Sequence, residues 1–439
     1  MLGSVAIALL LRVGGTVLWL LFSIVVARNL SVEEFGLIFF VINVIMTGGT
    51  VAIAGYDVTV LRFGARFWRD EEKQEFRNLF SEAQQAVIVV GSIVTLALVV
   101  GVLAGLDTPV THGMPIAIFV GGAITAIGLM SVERDVLRAG GKLQEALFAF
   151  SIIRALVPLI LTTIAWLWGV LNTSVIFVAY LTALLAALAW GRWRIGKLEL
   201  PPKRTAPAQY LKVALAIWPG NAGLVAFQGA PAIVIGLAGG LGAAGLFIAA
   251  QRIAQLGTFL TDAVRTAVGP NLAQADGKGQ QEAVTHASFL MAISGLLGIC
   301  FLLSLGWVLL WMFGPEYRSA LPVLLVLLVG QLSWTVLGPT ALVLNMFGEE
   351  KVRSVIGVST TIMLLVVLPM FDTAIGVATV VAFMSWVMNF ALWLAIRIRL
   401  NIRCGIVGIG IKEALWLLEE ERYTLDNLLL RIKKRDKKH

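Results

Sequence analysis

Gly245-Leu246-Phe247-Ile248-Ala249-Ala250-Gln251-Arg252-Ile253-Ala254-Gln255-Leu256 is an apolar run broken by two amides and one arginine. It lies within Ala244–Ala267, a stretch long enough to cross a hydrocarbon layer of roughly 30 Å. Its opening echoes an earlier one, Gly36-Leu37-Ile38-Phe39, at an offset of 209 residues (245 against 36). A second pair, Leu137-Arg138-Ala139-Gly140-Gly141 and Leu344-Asn345-Met346-Phe347-Gly348, has an offset of 207 (344 against 137). Each match alone is weak, but the agreement of the two offsets marks an internal repeat.

Outward from these strings, apolar runs of similar length recur along the chain. They are Leu2–Val26, Gly36–Leu61, Ala83–Ala104, Met114–Val132, Leu147–Trp168, Ser174–Trp190, Val213–Ala238, Ala244–Ala267, Ala287–Met312, Leu321–Phe347, Val355–Phe371 and Ala374–Ile396. The chain is 59% hydrophobic and only 14% charged, against roughly 25% charged residues in a soluble domain. Hydrocarbon satisfies no backbone polar group, so these runs must be helices. The expectation is an all-α polytopic membrane protein of about twelve transmembrane helices. A basic, proline-containing linker at 193–212, with Pro201, Pro202 and Pro207, separates a six-helix lobe at 1–192 from a second at 213–396. A tail at 397–439 completes the chain. Six spans per half put both lobes in the same orientation, related by a two-fold axis along the membrane normal, with binding sites expected between them.

Charge sets the orientation. Arg66, Arg69, Lys73, Arg77, Arg134, Arg138, Lys142, Arg192, Arg194, Lys197, Lys203, Arg204, Lys212, Lys278, Lys351 and Arg353 fall in loops on one side, and only Arg28 and Arg318 on the other. The predicted topology has both termini cytoplasmic. The net charge of +8 is explained by this bias, not by nucleic acid. Leu2–Val26 is too long for a signal-peptide core and reads as an uncleaved first span. Cys300 and Cys404 make no disulfide framework, and His112, His286 and His439 have no metal-ligand spacing. No nucleotide or catalytic motif is readable, so no cofactor is expected. Asn29-Leu30-Ser31 and Asn172-Thr173-Ser174 match glycosylation sequons but sit too close to the membrane to serve as such. Arg66–Ser81 and Ile406–Lys434 are amphipathic, and both read as cytoplasmic surface segments. The basic end of the tail suits anionic lipid headgroups, or simply water.

The informative residues are ionisable groups inside spans. Arg12, Arg154 and Arg252 lie roughly 10–15 Å deep at 1.5 Å per residue. Each arginine near the bilayer centre costs roughly 2.5–3.5 kcal/mol on insertion scales, and no acid occurs at comparable depth. One reading is a cationic cavity for an anionic substrate; the other is snorkelling to headgroups or pairing with carbonyls. Gln251 and Gln255, at i and i+4, offer hydrogen bonds to sugar hydroxyls or to neighbouring helices. Asp57 and Arg62 near the end of span two, and Asp262 and Arg265 on span eight, read either as a cytoplasmic gate of ion pairs or as interfacial anchors. Pro219, Pro231 and Pro339 predict bent helices.

The strings Arg28-Asn29-Leu30-Ser31-Val32-Glu33-Glu34-Phe35-Gly36 and Leu344-Asn345-Met346-Phe347-Gly348-Glu349-Glu350-Lys351, with the proline in span seven, resemble the polysaccharide flippases of the multidrug/oligosaccharidyl-lipid/polysaccharide exporter superfamily. The resemblance covers about residues 1–400. It implies two six-helix lobes around a central V-shaped cavity, working by alternating access. It also implies cationic substrate-binding residues in spans one, two and eight, where Arg12, Arg62 and Arg252 stand. The expected activity is flipping of an anionic lipid-linked oligosaccharide, of the undecaprenyl- or dolichyl-phosphate type, across the cell membrane in cell-surface polysaccharide biosynthesis. The expected partners are that substrate, membrane lipids and a glycan polymerase or ligase. An ion-coupled multidrug-type exporter of the same fold is the first alternative, against which Arg12 stands in a span where drug exporters often place an acid. A membrane enzyme of glycan assembly is the second, disfavoured by the short outer loops and the lack of a catalytic cluster.

Overall fold

The computed structural model describes residues 2–406, apart from 107, 112, 203–208 and 276–277. The tail beyond 406, the middle of the basic linker and His112 lie outside the described residues. Within them all regular structure is helical. The helices are α1 (Leu2–Asn29), α2 (Val32–Ala52), α3 (Tyr56–Thr59), α4 (Ala65–Arg69), α5 (Lys73–Leu103), α6 (Met114–Ala139), α7 (Leu143–Leu147), α8 (Arg154–Leu167), α9 (Thr173–Gly196), α10 (Leu211–Ala238), α11 (Gly240–Leu256), α12 (Thr258–Gln274), α13 (Lys278–Phe313), α14 (Leu321–Leu337), α15 (Thr340–Met346), α16 (Glu350–Val367) and α17 (Ala374–Arg399). Eleven helical segments among the described residues are long and apolar enough to cross a membrane. The bent pair α11–α12, turned by 44°, makes the twelfth. The chain is a multi-pass membrane protein.

Two compact units form. One comprises Met1–Ile253, Leu305–Val326 and Gly357–Val381; the other comprises Ala254–Ser304, Leu327–Ile356 and Ala382–His439.

In the first unit, α2 is packed on both flanks. Gly48 and Gly49 give it close approach to Ile124 and Ile127 of α6, and Thr47 and Phe40 fill the space beside Gly229 and Gly236 of α10. At its start, α2 crosses α11 through two glycines. A Cβ on Gly36 would overlap the Leu241 carbonyl and stand 3.1 Å from the Gly245 nitrogen. A Cβ on Gly245 would stand 2.5 Å from the Val32 carbonyl and 3.4 Å from the Gly36 nitrogen. Val32 and Leu241 each lie four residues before their glycine, so the contact is locally two-fold, like an isologous interface. The glycines that marked the repeat in the sequence therefore touch each other.

Three sequence readings change here. Span two does not run to Leu61. It ends at Ala52, and Ala54 (φ 51°) and Gly55 (φ 83°) turn the chain before α3. Gly55 is needed twice over: its φ favours glycine, and a Cβ there would overlap the Ala214 carbonyl of α10. Second, the amphipathic stretch Arg66–Ser81 keeps Arg66, Arg69 and Lys73 exposed but packs its apolar face on the rest of the chain. Phe67, Phe76, Leu79 and Phe80 are buried against Val132, Val136, Leu137 and Ala214, so its apolar face meets protein. Third, the sequons are helix caps. Ser31 and Glu34 form a capping box on α2, and the Asn172 side chain accepts from the Val175 N–H on α9.

Arg28, an exception to the charge bias, also has a structural role. It donates to the Met312 and Trp311 carbonyls at 2.7 and 3.0 Å, satisfying the end of α13. In the second unit, the bend at Gly257 frees backbone groups, and Gln331 Nε2 donates to the Ala254 carbonyl at 2.7 Å. Asn389 bonds Ser333 Oγ at 3.0 Å, tying α17 to α14.

Candidate functional site

The site begins with a crossing. A Cβ on Gly15 of α1 would stand 2.6 Å from the Ser151 carbonyl, so only glycine permits this approach. Ser151 lies in a π-helical turn, Phe148–Ile153, between α7 and α8. Such a turn holds one residue more than an α-turn and re-aims the side chains after it by about 100°. One turn on from Gly15, Trp19 then meets Arg154.

Arg154 and Arg252 both bear on Trp19. Their guanidinium carbons stand 5.7 and 5.1 Å from the Trp19 ring centroid. Arg252 also lies 5.2 Å from Phe39, and Arg154 lies 4.6 Å from Phe150. Trp19 contacts Phe22, Phe39 and the buried Tyr180 at 5.1, 6.2 and 6.1 Å between centroids. Among the described residues Arg154 Nη1 reaches only the Met46 sulfur, at 3.0 Å, a weak acceptor. Its Nε and the Tyr180 hydroxyl are buried without a hydrogen-bond partner among the described residues. Neither arginine makes an ion pair there. Trp19 is ten residues from the end of α1, and Arg252 twelve from the start of α11. Both therefore lie roughly 15–18 Å along their helices, near the middle of a membrane.

Arg12 is exposed, and its position on α1 shows where it faces. Leu10, Val17 and Leu21, exposed by 71%, 44% and 40%, form the outward stripe. At about 100° per residue, Arg12 lies roughly 140–180° from that stripe. It shares a face with Trp19, about 10 Å along the axis.

The other candidates divide. Gln251 Nε2 donates to the Gln228 carbonyl at 3.1 Å, a neighbouring-helix partner. Gln255 is exposed beside the bend, and its carbonyl accepts from Thr258 Oγ1 at 2.8 Å. Arg62 sits in a second π-helical turn, Val60–Gly64, exposed and 5.8 Å from the Phe63 ring. Asp262 and Arg265 do pair, at 3.3 Å, with Arg265 4.8 Å from Trp334. Asp57 instead accepts from Asn221 Nδ2 of α10 at 3.1 and 3.3 Å. Nearby, Trp218 Nε1 donates to the Val51 carbonyl at 3.1 Å, fastening the break after α2 onto α10. Burial pushes the Asp57 carboxyl above its usual range, and the Asp135 carboxylate adds to the rise; the Val58 backbone, Asn221 and Arg134 oppose it.

Sequence reasoning used Arg134 and Arg138 only for topology and passed over their partner. Asp135, fully buried, accepts from Arg134 at 2.9 and 2.7 Å and from Arg138 at 3.1 Å. Beside it, Glu133 pairs with Arg192 at 2.5 Å. The i, i+3 spacing of Asp135 and Arg138 was the available signal. Nothing in the sequence marked Trp19, Phe150 or Tyr180 among so many aromatics.

A family model described as "Polysaccharide biosynthesis protein" matches residues 1–276. The chain belongs to that family. Its fold is also that of solved transporters of the MOP superfamily. An inward-facing multidrug resistance MATE family transporter superposes with a TM-score of 0.69 at 16% identity, covering 90% of this chain and 98% of that one. The lipid II flippase MurJ, in an inward closed conformation, gives 0.66 at 14% identity, covering 96% and 92%. A MOP superfamily transporter from Pyrococcus furiosus, whose description reports a reversed polarity of its binding pocket, gives 0.64 at 17% identity, covering 90% and 94%. At such identities the likeness is one of fold. No curated protein matches the chain. The chain is thus a multi-pass membrane protein of the polysaccharide biosynthesis family with the fold of these transporters.

Proposed function

We propose that this protein flips an anionic lipid-linked oligosaccharide across the cell membrane by alternating access. The observation that carries the reading is the pair Arg154 and Arg252, two mid-span guanidiniums against one tryptophan ring with no ion-pair partner among the described residues. A phosphate or pyrophosphate supplies the missing negative charge. Arginine suits the task because its planar fork takes phosphate oxygens in pairs and keeps its charge when buried. Arg12, exposed on the Trp19 face, extends the cationic surface toward the side with the basic loops. The lipid tail, of undecaprenyl- or dolichyl-phosphate type, stays in the bilayer while the sugar crosses.

In this reading the lobes 1–192 and 213–396 are the moving repeats, and both termini are cytoplasmic. The contacts of Asp57 with Asn221, and of Asp262 with Arg265, belong to the cytoplasmic gate. Binding must favour one arrangement of the lobes over the other to drive the cycle. Energy comes from an ion gradient or from consumption of the flipped product by a polymerase or ligase. The shared fold with a lipid II flippase agrees with a lipid-linked substrate. The cationic site fits poorly with a cationic drug.

Reconstitution in liposomes with a labelled lipid-linked oligosaccharide, scored by access to an outside reagent, tests the proposal. A charge-assisted hydrogen bond contributes about 1.5–3 kcal/mol, so Arg252→Ala should slow flipping about tenfold to a hundredfold. Arg252→Lys keeps the charge, loses the fork and should fall between. Unchanged flipping in the Arg12→Ala, Arg252→Ala double variant at equal protein level removes the phosphate-binding role.

A further inference from the structure

Phe150 meets two arginines from different helices, Arg154 of α8 and Arg134 of α6. Its ring centroid lies 4.6 Å from the Arg154 guanidinium carbon and 4.4 Å from that of Arg134. Arg154 is part of the mid-span site. Arg134 is held by Asp135 through two hydrogen bonds, and Asp135 also takes Arg138. Trp19 repeats the arrangement one step further in, with Arg154 and Arg252. The order is Arg252, Trp19, Arg154, Phe150, Arg134, Asp135. Cation and ring alternate from the middle of the span to the ion pairs at the end of α6.

The alternation has a physical reason. Like charges in a low dielectric repel strongly. An aromatic ring has a negative face, so each ring attracts both of its cations and offsets part of their repulsion. Arg134 has a carboxylate to fix it; Arg154 has none among the described residues. Among the described residues its one hydrogen-bond partner is the Met46 sulfur, and its Nε has none. An arginine so poorly bonded keeps many rotamers unless packing removes them. Trp19 and Phe150 supply that packing. Phe150 comes from the π-helical turn that ends at Ile153, one residue before Arg154, so the turn places ring and guanidinium together.

We propose that Phe150 is a positioning residue for the transported anion: it holds the Arg154 guanidinium toward the phosphate, anchored from behind by Arg134 and Asp135. The inference rests on the anion-transport reading above and deepens it. Phe150 itself does not touch substrate. Its contribution is to keep Arg154 ordered before the anion arrives, and ordering in advance strengthens binding without adding a contact to the ligand.

The test is equilibrium binding to the full chain in nanodiscs, with inorganic pyrophosphate and undecaprenyl pyrophosphate as separate probes. Phe150→Leu keeps the apolar volume and loses the ring. It should weaken binding of both probes about tenfold, the fold-change expected of a desolvated cation–π contact. Phe150→Tyr should restore binding. In an Arg154→Gln background, Phe150→Leu should cost nothing more, because its effect passes through Arg154. In the flipping assay the Leu variant should raise the apparent KM more than it lowers the maximal rate. Undiminished binding in Phe150→Leu, failure of Phe150→Tyr to rescue, or full additivity with Arg154→Gln each overturns the proposal, as does absence of binding by the unaltered protein with both probes. If pyrophosphate binds with this pattern but no lipid-linked sugar is flipped, the positioning role stands and the flippase reading fails.

Discussion

Gly245→Ala is the sharpest perturbation the packing offers. The new methyl carbon would stand 2.5 Å from the Val32 carbonyl oxygen and 3.1 Å from Val32 Cγ1. An unstrained carbon–oxygen contact begins near 3.4 Å, so α2 and α11 must part by about 0.9 Å at this crossing. Neither neighbour yields easily: one is backbone, and the other is a β-branched side chain with a stiff χ1. Over-packing by one methyl costs about 1–3 kcal/mol in a closely packed interior, which is about fivefold to a hundredfold in the closed state of the crossing. The crossing lies at the ends of the two helices away from the basic loops, so its loosening opens that side. The assay uses a Cys300→Ser, Cys404→Ser background with Phe39→Cys as reporter, because the Phe39 ring lies 5.2 Å from Arg252. An impermeant maleimide applied from that side should label the reporter at least about fivefold faster when Gly245→Ala is present. Gly36→Ala should do the same, since the contact is locally two-fold. Equal labelling rates together with an unchanged melting temperature would falsify the claim that only glycine permits this close crossing.

Other expectations come from the ion pairs and the helix break. Asp135→Asn leaves Arg134 and Arg138 without their buried carboxylate, and losing one partner of a buried pair costs about 3–5 kcal/mol; a melting temperature within a degree or two of the unaltered protein would contradict it. For Asp57 the folded carboxyl is raised from its ordinary 3.8, chiefly by burial. Its contribution to stability is then fully present below the unfolded value and is lost as pH rises through the raised folded value. Asp57→Asn should flatten that part of the curve of melting temperature against pH. Parallel curves for the two proteins would show that Asp57 has no such role.

Legibility differed sharply between fold and site. The spans and their helical nature were readable because hydrocarbon imposes one solution on any long apolar run. The two glycines that the offsets singled out, Gly36 and Gly245, lie in contact. The end of span two was not readable, because Ala54, Gly55 and Asp57 carry no local stop signal strong enough to interrupt an apolar run. What decides that break is the Ala214 carbonyl, Trp218 and Asn221 on α10, far along the chain. What covers the apolar face of 66–81 was not readable for a related reason: an amphipathic pattern states that one face is apolar, not whether lipid or protein covers it.

The sequence by itself determined the class of solvent and the apolar runs long enough to span, because both depend on residue order and the 1.5 Å rise of a helix. Which arginines meet depended on side-chain direction and on contacts distant in sequence. Gly15 against Ser151 and the π-helical turn at 148–153 bring Trp19 and Arg154 together. Arg252 joins them from a helix nearly a hundred residues later. Gln251, its neighbour in sequence, turns instead to the Gln228 carbonyl. Aromatic rings carry no periodic signal that separates a lining residue from a packing one. Their partners are set only when helices cross, and that choice was left to the tertiary structure.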